Sequence, residues 1–206
     1  MRTLCVLLGG TVLALGVFAQ EPSPSSPAAN QAKAQLQIEL RSLAKLAQQI
    51  GDAPTNEDKA RVWLELNREA RKFGAEMNSA FPETSLEGDR ISPDEAQKLA
   101  HTATSYGVRV EFCEPGGNWA ADNQGYFKYL ELWPQGPDAD EATWMGPMGN
   151  GSFCGDSEGS SEELKDFIAK RKQFLQKFPN SHFASQAKQD VTEAQEQLKE
   201  ALKGGR

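Results

Sequence analysis

The fold of this chain is decided by Phe174-Leu175-Gln176-Lys177-Phe178-Pro179-Asn180-Ser181-His182-Phe183-Ala184-Ser185-Gln186-Ala187. A related stretch lies 45 positions earlier and reads Tyr129-Leu130-Glu131-Leu132-Trp133-Pro134-Gln135-Gly136-Pro137-Asp138-Ala139-Asp140-Glu141-Ala142. Both copies contain an aromatic residue, Leu, two variable positions, an aromatic residue and Pro, followed by a turn and two alanines three positions apart. A motif repeated at such a period indicates helix-turn-helix repeats, which usually bind other chains.

The spacing within each copy predicts a helical hairpin. The aromatic and leucine positions fall on one helical face and form an apolar stripe. Pro134 and Pro179 end the first helix of each copy, because proline has no N–H donor and clashes with the preceding turn. The alanines that follow let the second helix approach the first closely. Since neither helix can bury its stripe alone, the hairpins are expected to stack on neighbouring helices.

The stretch from Phe174 to Ala187 resembles the phrase FLxxFPxSxxAxxA of tetratricopeptide-like repeats in the bacterial cell envelope, notably in outer-membrane-assembly lipoproteins and periplasmic coordinators. The resemblance covers about residues 125–202, and the earlier copy carries Trp for Phe and Gly for Ser. It implies an all-α fold, in which helical hairpins stack as a short tetratricopeptide-like array. It also implies an envelope protein or peptide as the partner, and no catalysis. Only two clear copies occur, and no cysteine stands where those lipoproteins carry a lipid.

The N-terminus predicts export. Met1-Arg2 is a short basic start, Thr3 to Phe18 is uncharged and mostly apolar, and Ala19 precedes a cleavage position at Gln20. We therefore expect a signal peptide over residues 1–19 and a periplasmic or extracellular location without stable membrane insertion after cleavage. An uncleaved membrane anchor is the alternative. Residues 20–30 are rich in Pro, Ser and Ala and predict a disordered tether or a frayed terminus.

The remaining chain divides into two predicted regions. Residues 31–106 are expected to form an N-terminal helical hairpin region, and residues 107–206 the repeat pair with inserted loops. A short extended stretch is expected at 108–112, followed by a loop from Glu114 to Gly125 and a Gly-rich loop over 146–159. Cleavage would remove one basic residue from a chain of net charge −7, and so acidic a chain is poorly suited to bind nucleic acid.

Two cysteines remain after the predicted cleavage, Cys113 and Cys154. An even count in an oxidising compartment predicts that they pair and staple the Gly-rich loop region. A closed loop of about 40 residues gives roughly 4 kcal/mol of stabilisation in the chain-entropy estimate. A redox-active pair is the alternative, but the sequence has no Cys-x-x-Cys spacing to favour it.

Candidate catalytic groups are few. His101 and His182 each stand without a second His or Cys at ligand spacing, which predicts no metal and no cofactor. Asp138, Asp140 and Glu141 are interpreted as a cluster that complements the dipole of a helix start. No serine nucleophile motif is present, and nothing singles out a pair of carboxylates. The sequence therefore predicts a protein that is not an enzyme.

Aromatic residues form the candidate binding site. Trp119, Tyr126 and Trp144 are predicted to contact a partner or a glycan, because Trp119 and Trp144 stand in or beside Gly-rich loops and are expected to be partly exposed. Tyr129 and Trp133 are better explained as core residues. Three functions remain open: a protein-binding scaffold, which we favour, a module that binds a glycan such as peptidoglycan, and a hydrolase whose site the sequence hides.

Overall fold

The computed structural model describes residues 27–80, 92–113, 117–148 and 160–204. These ranges contain helices and strands in the order α1 Pro27–Asp52, α2 Asn56–Ala80, α3 Pro93–Thr104, β1 Val110–Cys113, β2 Asn118–Ala121, α4 Gln124–Leu132, α5 Ala139–Met145, α6 Ser161–Lys177 and α7 Ala184–Gly204. The predicted signal peptide and Cys154 lie outside the described residues. Within the described ranges, no helix is both long and apolar enough to cross a membrane.

Helices α1 and α2 pack on each other as the first hairpin. Their contact face carries buried leucines of α1 together with Phe73 and Met77 of α2, which are fully buried. Helix α2 is capped by Thr55, whose hydroxyl accepts a hydrogen bond from the Asp58 backbone N–H at 3.0 Å. The tether predicted for residues 20–30 is too long, because α1 begins at Pro27. Proline is tolerated in the first turn of a helix, because the backbone N–H that it lacks would have no partner within the helix there.

A small β-hairpin departs from the all-α prediction. Strands β1 and β2 pair antiparallel, with Phe112 opposite Trp119. Strand β1 agrees with the extended stretch predicted before Cys113, whereas β2 lies inside the segment that the sequence analysis interpreted as a loop. Asn78 of α2 holds the far edge of β2: its side chain accepts from the Trp119 N–H at 2.5 Å and donates to the Trp119 carbonyl at 2.9 Å. This contact between residues far apart in the sequence stabilises β2, although the strand has only four residues.

The helices follow one another as three stacked hairpins. Helix α2 packs on α4, α4 on α5, α5 on α6 and α6 on α7. The segment made of α3, β1 and β2 is inserted between the first and second hairpins, where α3 packs on α1 and β2 on α2. The start of α6 has the capping box expected from its sequence, in which Ser160 and Glu163 exchange hydrogen bonds. The fold is therefore mostly helical, as predicted, with one two-stranded sheet added.

Candidate functional site

The two repeat turns have the same backbone hydrogen bonds. In each turn, the backbone N–H of the second aromatic residue donates to the carbonyl of the first aromatic residue. The N–H of the small turn residue donates to the carbonyl of the second aromatic residue, and the N–H of the first alanine donates to the carbonyl of the small residue. The donor–acceptor pairs are Trp133–Tyr129 at 2.8 Å, Gly136–Trp133 at 3.1 Å and Ala139–Gly136 at 3.0 Å, then Phe178–Phe174 at 2.8 Å, Ser181–Phe178 at 3.2 Å and Ala184–Ser181 at 3.0 Å. The sequence repeat is thus also a structural repeat.

The small turn residue differs between the copies for a steric reason. A Cβ atom at Gly136 would collide with the Tyr129 hydroxyl and lie 2.6 Å from Cδ2 of Trp133. That hydroxyl accepts a hydrogen bond from the Asp138 N–H at 3.0 Å. The second copy has Phe174 in place of the tyrosine, so Ser181 fits there. Its hydroxyl donates to Asp140 Oδ2 at 2.6 Å and so joins the second turn to α5.

Helix α2 fixes the first repeat through a buried asparagine. Asn67 is fully buried, and its Oδ1 accepts from the backbone N–H of Gly125 at 2.6 Å and of Tyr126 at 3.3 Å. Its Nδ2 donates to the Asp122 carbonyl at 2.8 Å. The start of α4 is therefore capped by a side chain from another helix. Gly125 makes room for this contact, since a Cβ atom there would lie 2.7 Å from the Cβ of Asn67.

An ion pair joins the same helix to α5. The guanidinium of Arg68 donates to both carboxylate oxygens of Glu141, with Nε 2.8 Å from Oε1, and it lies 3.3 Å from Asp138. Hydrogen bonding to Glu141 raises the pKa of Arg68 above its usual range. From the sequence, Glu141 and Asp138 are predicted only as partners of a helix dipole. In the structure they also clamp the first repeat to the first hairpin.

The second repeat has a buried arginine of its own. Arg171 is 5% exposed, and its Nε donates to Asp190 of α7 at 2.8 Å. Its Nη1 donates to the carbonyl of Met148, the last described residue after α5, at 2.6 Å. The guanidinium lies 4.2 Å from the centre of the Trp144 ring. Burial lowers the pKa of Arg171, and the ion pair with Asp190 opposes that effect. This one side chain links α5, α6 and α7.

The three predicted site residues do not meet in one place. Trp119 is 8% exposed on β2 and packs with the core of the first hairpin, so the prediction that it is partly exposed in a loop is wrong. Tyr126, on α4, is 2% exposed where that helix packs on α2, and burial raises the pKa of its hydroxyl. Trp144, on α5, is partly buried against the second repeat, with its ring stacked on that of Phe183 at a centroid distance of 5.1 Å. The aromatic rings that sequence analysis assigned to binding thus fill three separate clusters.

A different aromatic residue of the repeats faces solvent. Phe127 of α4 is 48% exposed, one position after the buried Tyr126. It lies off the stripe formed by Tyr126, Tyr129 and Trp133, which the α2 contact covers. The other large apolar side chains that are exposed among the described residues are Ile38, Phe112 and Leu202. A helical-wheel count of α4 could have found Phe127, because its neighbours already fill the buried face.

Metal ligands do not cluster among residues 27–80, 92–113, 117–148 and 160–204, where no group of three His, Cys, Asp or Glu side chains could hold an ion. His101 lies in α3 and His182 in the turn before α7, where its ring lies 3.8 Å from that of Phe183. Cys113 is 2% exposed at the end of β1, but its predicted partner lies outside the described residues. The disulfide and the absence of a metal stay predictions.

Comparison with known proteins agrees with the repeat. No curated protein and no solved structure gives a significant match to the chain. Residues 123–201, however, match the family YfiO, described as outer membrane lipoprotein. The matched segment begins at the start of α4 and ends within α7, so it contains both repeat turns. It also coincides with the region, about 125–202, in which the sequence predicts a resemblance to tetratricopeptide-like envelope proteins. That resemblance is therefore confirmed: residues 123–201 form a helical-repeat segment similar to the outer membrane lipoprotein family.

Proposed function

We propose that this protein is an exported, non-catalytic scaffold of the cell envelope that binds another envelope protein through its helical repeats. The match of residues 123–201 to an outer membrane lipoprotein family carries the proposal. The equivalence of the two turns supports it, because stacked helical hairpins present extended surfaces that suit protein binding. The location is periplasmic or extracellular in this proposal, in keeping with the predicted signal peptide.

The contact residue that the geometry favours is Phe127. It is a large aromatic side chain, 48% exposed, on a helix held in place by Asn67 and by the stacking of α2. A rigidly mounted aromatic ring gains much apolar contact on binding and loses little conformational freedom. Trp119 and Tyr126 lack that exposure. We therefore place the partner on the solvent face of α4 and give Trp144 the role of holding Arg171.

Site-specific photo-crosslinking tests this placement. A photoreactive amino acid replaces Phe127 in the full chain, expressed in its own cells, and the crosslinked products are identified by mass spectrometry. The matched control carries the same amino acid at Ile38, a large apolar residue that is also 48% exposed but lies on α1. We expect a reproducible envelope protein to crosslink at 127 more strongly than at 38. Equal labelling at both positions, or products that contain only cell-wall glycan, would contradict the proposal.

We also propose the pairing of Cys113 with Cys154. Cys113 ends β1 and is buried, which would place the bond at the edge of the inserted hairpin. The pairing would connect that hairpin to the segment that precedes α6. Mass spectrometry of the exported protein under non-reducing conditions checks it. A peptide pair that contains both cysteines and separates on reduction is the expected result, whereas two freely alkylated thiols would contradict the bond.

A further inference from the structure

The interface between α1 and α2 contains a buried carboxylate that none of the functions discussed above requires. Glu39 of α1 is 1% exposed, among the core leucines of the first hairpin. Its Oε1 accepts two hydrogen bonds, from Gln35 Nε2 at 2.6 Å and from Lys72 Nζ at 2.7 Å. An ionised carboxylate is costly to bury, and an apolar side chain at this position would avoid that cost. Packing energy alone therefore does not explain the residue.

The apolar contacts of the first hairpin do not by themselves determine how far α1 lies along α2. The buried apolar residues of both helices recur about one helical turn apart, and they are Leu36, Leu40 and Leu43 on α1 and Leu66, Ala70, Phe73 and Met77 on α2. A slide of α1 by one turn, about 6 Å, would again place leucines against apolar side chains. The connection, residues 53–55, is short, so larger slides would require a helix to unwind.

The carboxylate of Glu39 distinguishes the observed register from the next one in the first direction. It meets Lys72, a half-exposed side chain that reaches the buried oxygen from the rim of the interface. A slide of one turn towards the end of α2 would bring Glu39 beside Glu76 instead. Helix α2 contains no Lys or Arg between Lys72 and its last residue, Ala80. In that register the buried carboxylate would have a like charge beside it and no cation.

The opposite slide is disfavoured for a different reason. It would bring Glu39 beside Arg68, one turn before Lys72 on α2. The guanidinium of Arg68 already pairs with Glu65 on its own helix and with Glu141 on α5. Glu39 would have to compete with both carboxylates for this cation. Only the observed register gives Glu39 a cation that no element outside the first hairpin uses.

We propose that the buried pair of Glu39 and Lys72 specifies the register in which α1 packs on α2. A single buried polar group can fix register in this way in coiled coils, because every other alignment leaves it without its partner. An apolar side chain in place of the carboxylate should then leave the hairpin folded but without a unique register. This inference rests on the contacts of the first hairpin and is independent of the proposed binding function.

Distance measurement between two spin labels by electron paramagnetic resonance tests the proposal in the full chain. The labels replace Gln48 of α1 and Ala75 of α2, which are exposed and lie at different heights along the hairpin. They are attached to a non-natural ketone amino acid, so that the cysteines stay unmodified. The test variant is Glu39→Leu. The matched control is Gln37→Leu, which adds the same side chain to an exposed position of the same helix.

We expect one distance in the wild type and in Gln37→Leu, and in Glu39→Leu a second population displaced by about 6 Å. A single, unshifted distance in Glu39→Leu would overturn the proposal, as would an equally large second population in Gln37→Leu. If Glu39→Leu does not fold, the double variant Glu39→Met with Lys72→Met decides, because it removes both charges and keeps long side chains. It should likewise show two distances, and one unshifted distance would overturn the assigned role.

Discussion

The two repeats have the same turn but different attachments to the rest of the chain. The first repeat, α4 and α5, is held by α2, which caps α4 with Asn67 and clamps α5 with Arg68. The second repeat, α6 and α7, meets the others through α5, the Ser181–Asp140 hydrogen bond and the bond from Arg171 to the Met148 carbonyl. The repeated motif thus specifies each hairpin, whereas residues outside the motif determine how firmly each hairpin is anchored.

The largest expected effect comes from removing the first aromatic residue of each copy. Tyr129 and Phe174 are both almost fully buried, and replacement of either with Ala should cost about 3–5 kcal/mol of the free energy of unfolding. Tyr129→Ala should destabilise the array as a whole, because its core cluster includes α2. Phe174→Ala should chiefly unfold α6 and α7. Limited proteolysis distinguishes the variants, with early cuts expected only within 160–204 for Phe174→Ala. Equal loss of protection along the chain in both variants would contradict the unequal anchoring.

The next effect isolates the cap of α4. Asn67→Ala should lower the free energy of unfolding by about 2–3 kcal/mol, because it leaves the buried Gly125 N–H and the partly buried Asp122 carbonyl without their partner. Asn78→Ala is the matched control on α2. It frees only the Trp119 backbone groups at the edge of β2, and it should cost about 1–2 kcal/mol. Urea unfolding followed by circular dichroism measures both. If Asn78→Ala proved the more damaging change, the role assigned to Asn67 would be wrong.

The turns themselves allow a smaller test. Gly136→Ala should cost about 2 kcal/mol, since the new methyl group meets Trp133 and the Tyr129 hydroxyl. Ser181→Ala removes the hydrogen bond that the hydroxyl donates to Asp140 and the longer one that it accepts from the Phe183 N–H, and should cost about 1 kcal/mol. Adding Tyr129→Phe to Gly136→Ala should recover part of the loss, because the hydroxyl is then absent. Thermal unfolding of the three variants checks the order, and the steric account fails if the double variant is no more stable than Gly136→Ala alone.

The smallest expected effect is that of the ion pair between α2 and α5. Arg68 and Glu141 are partly exposed, so water and salt weaken their attraction, and we expect a coupling energy of about 1 kcal/mol. A double-mutant cycle with Arg68→Met and Glu141→Gln measures it. The coupling should shrink at high salt. A coupling energy of zero at low salt would mean that the contact does not anchor the first repeat.

The local features of the fold could be predicted from the sequence. Pro134 and Pro179 mark the helix ends, and Ser160 with Glu163 marks the start of α6, because each of these signals acts on residues within one helical turn. The resemblance of residues 125–202 to envelope repeats could likewise be read from the motif, and the match over 123–201 confirms it.

Other features depend on contacts between residues far apart in the chain. Strand β2 persists because Asn78 satisfies its outer edge, and Trp119 is buried because that strand lies on α2. The four residues of β2 lie beside glycines and show no hydrophobic periodicity, so the sequence predicts neither the strand nor the burial of Trp119. The sequence contains one weak indication of the cap supplied by Asn67. Asparagine has low helix propensity, yet Asn67 stands in the interior of a helix. The candidate site shifted from Trp119 and Tyr126 to Phe127 for the same reason, since exposure depends on which face α2 covers.

Amide hydrogen exchange along the full chain shows whether α2 anchors the first repeat and whether the second repeat is attached more weakly. Peptides from α2 and α4 should then exchange at a rate close to that of global unfolding. Peptides from α6 and α7 should exchange earlier and together, through local opening of that hairpin. Equal protection of both repeats, or earlier exchange of α4 than of α6, would contradict the account.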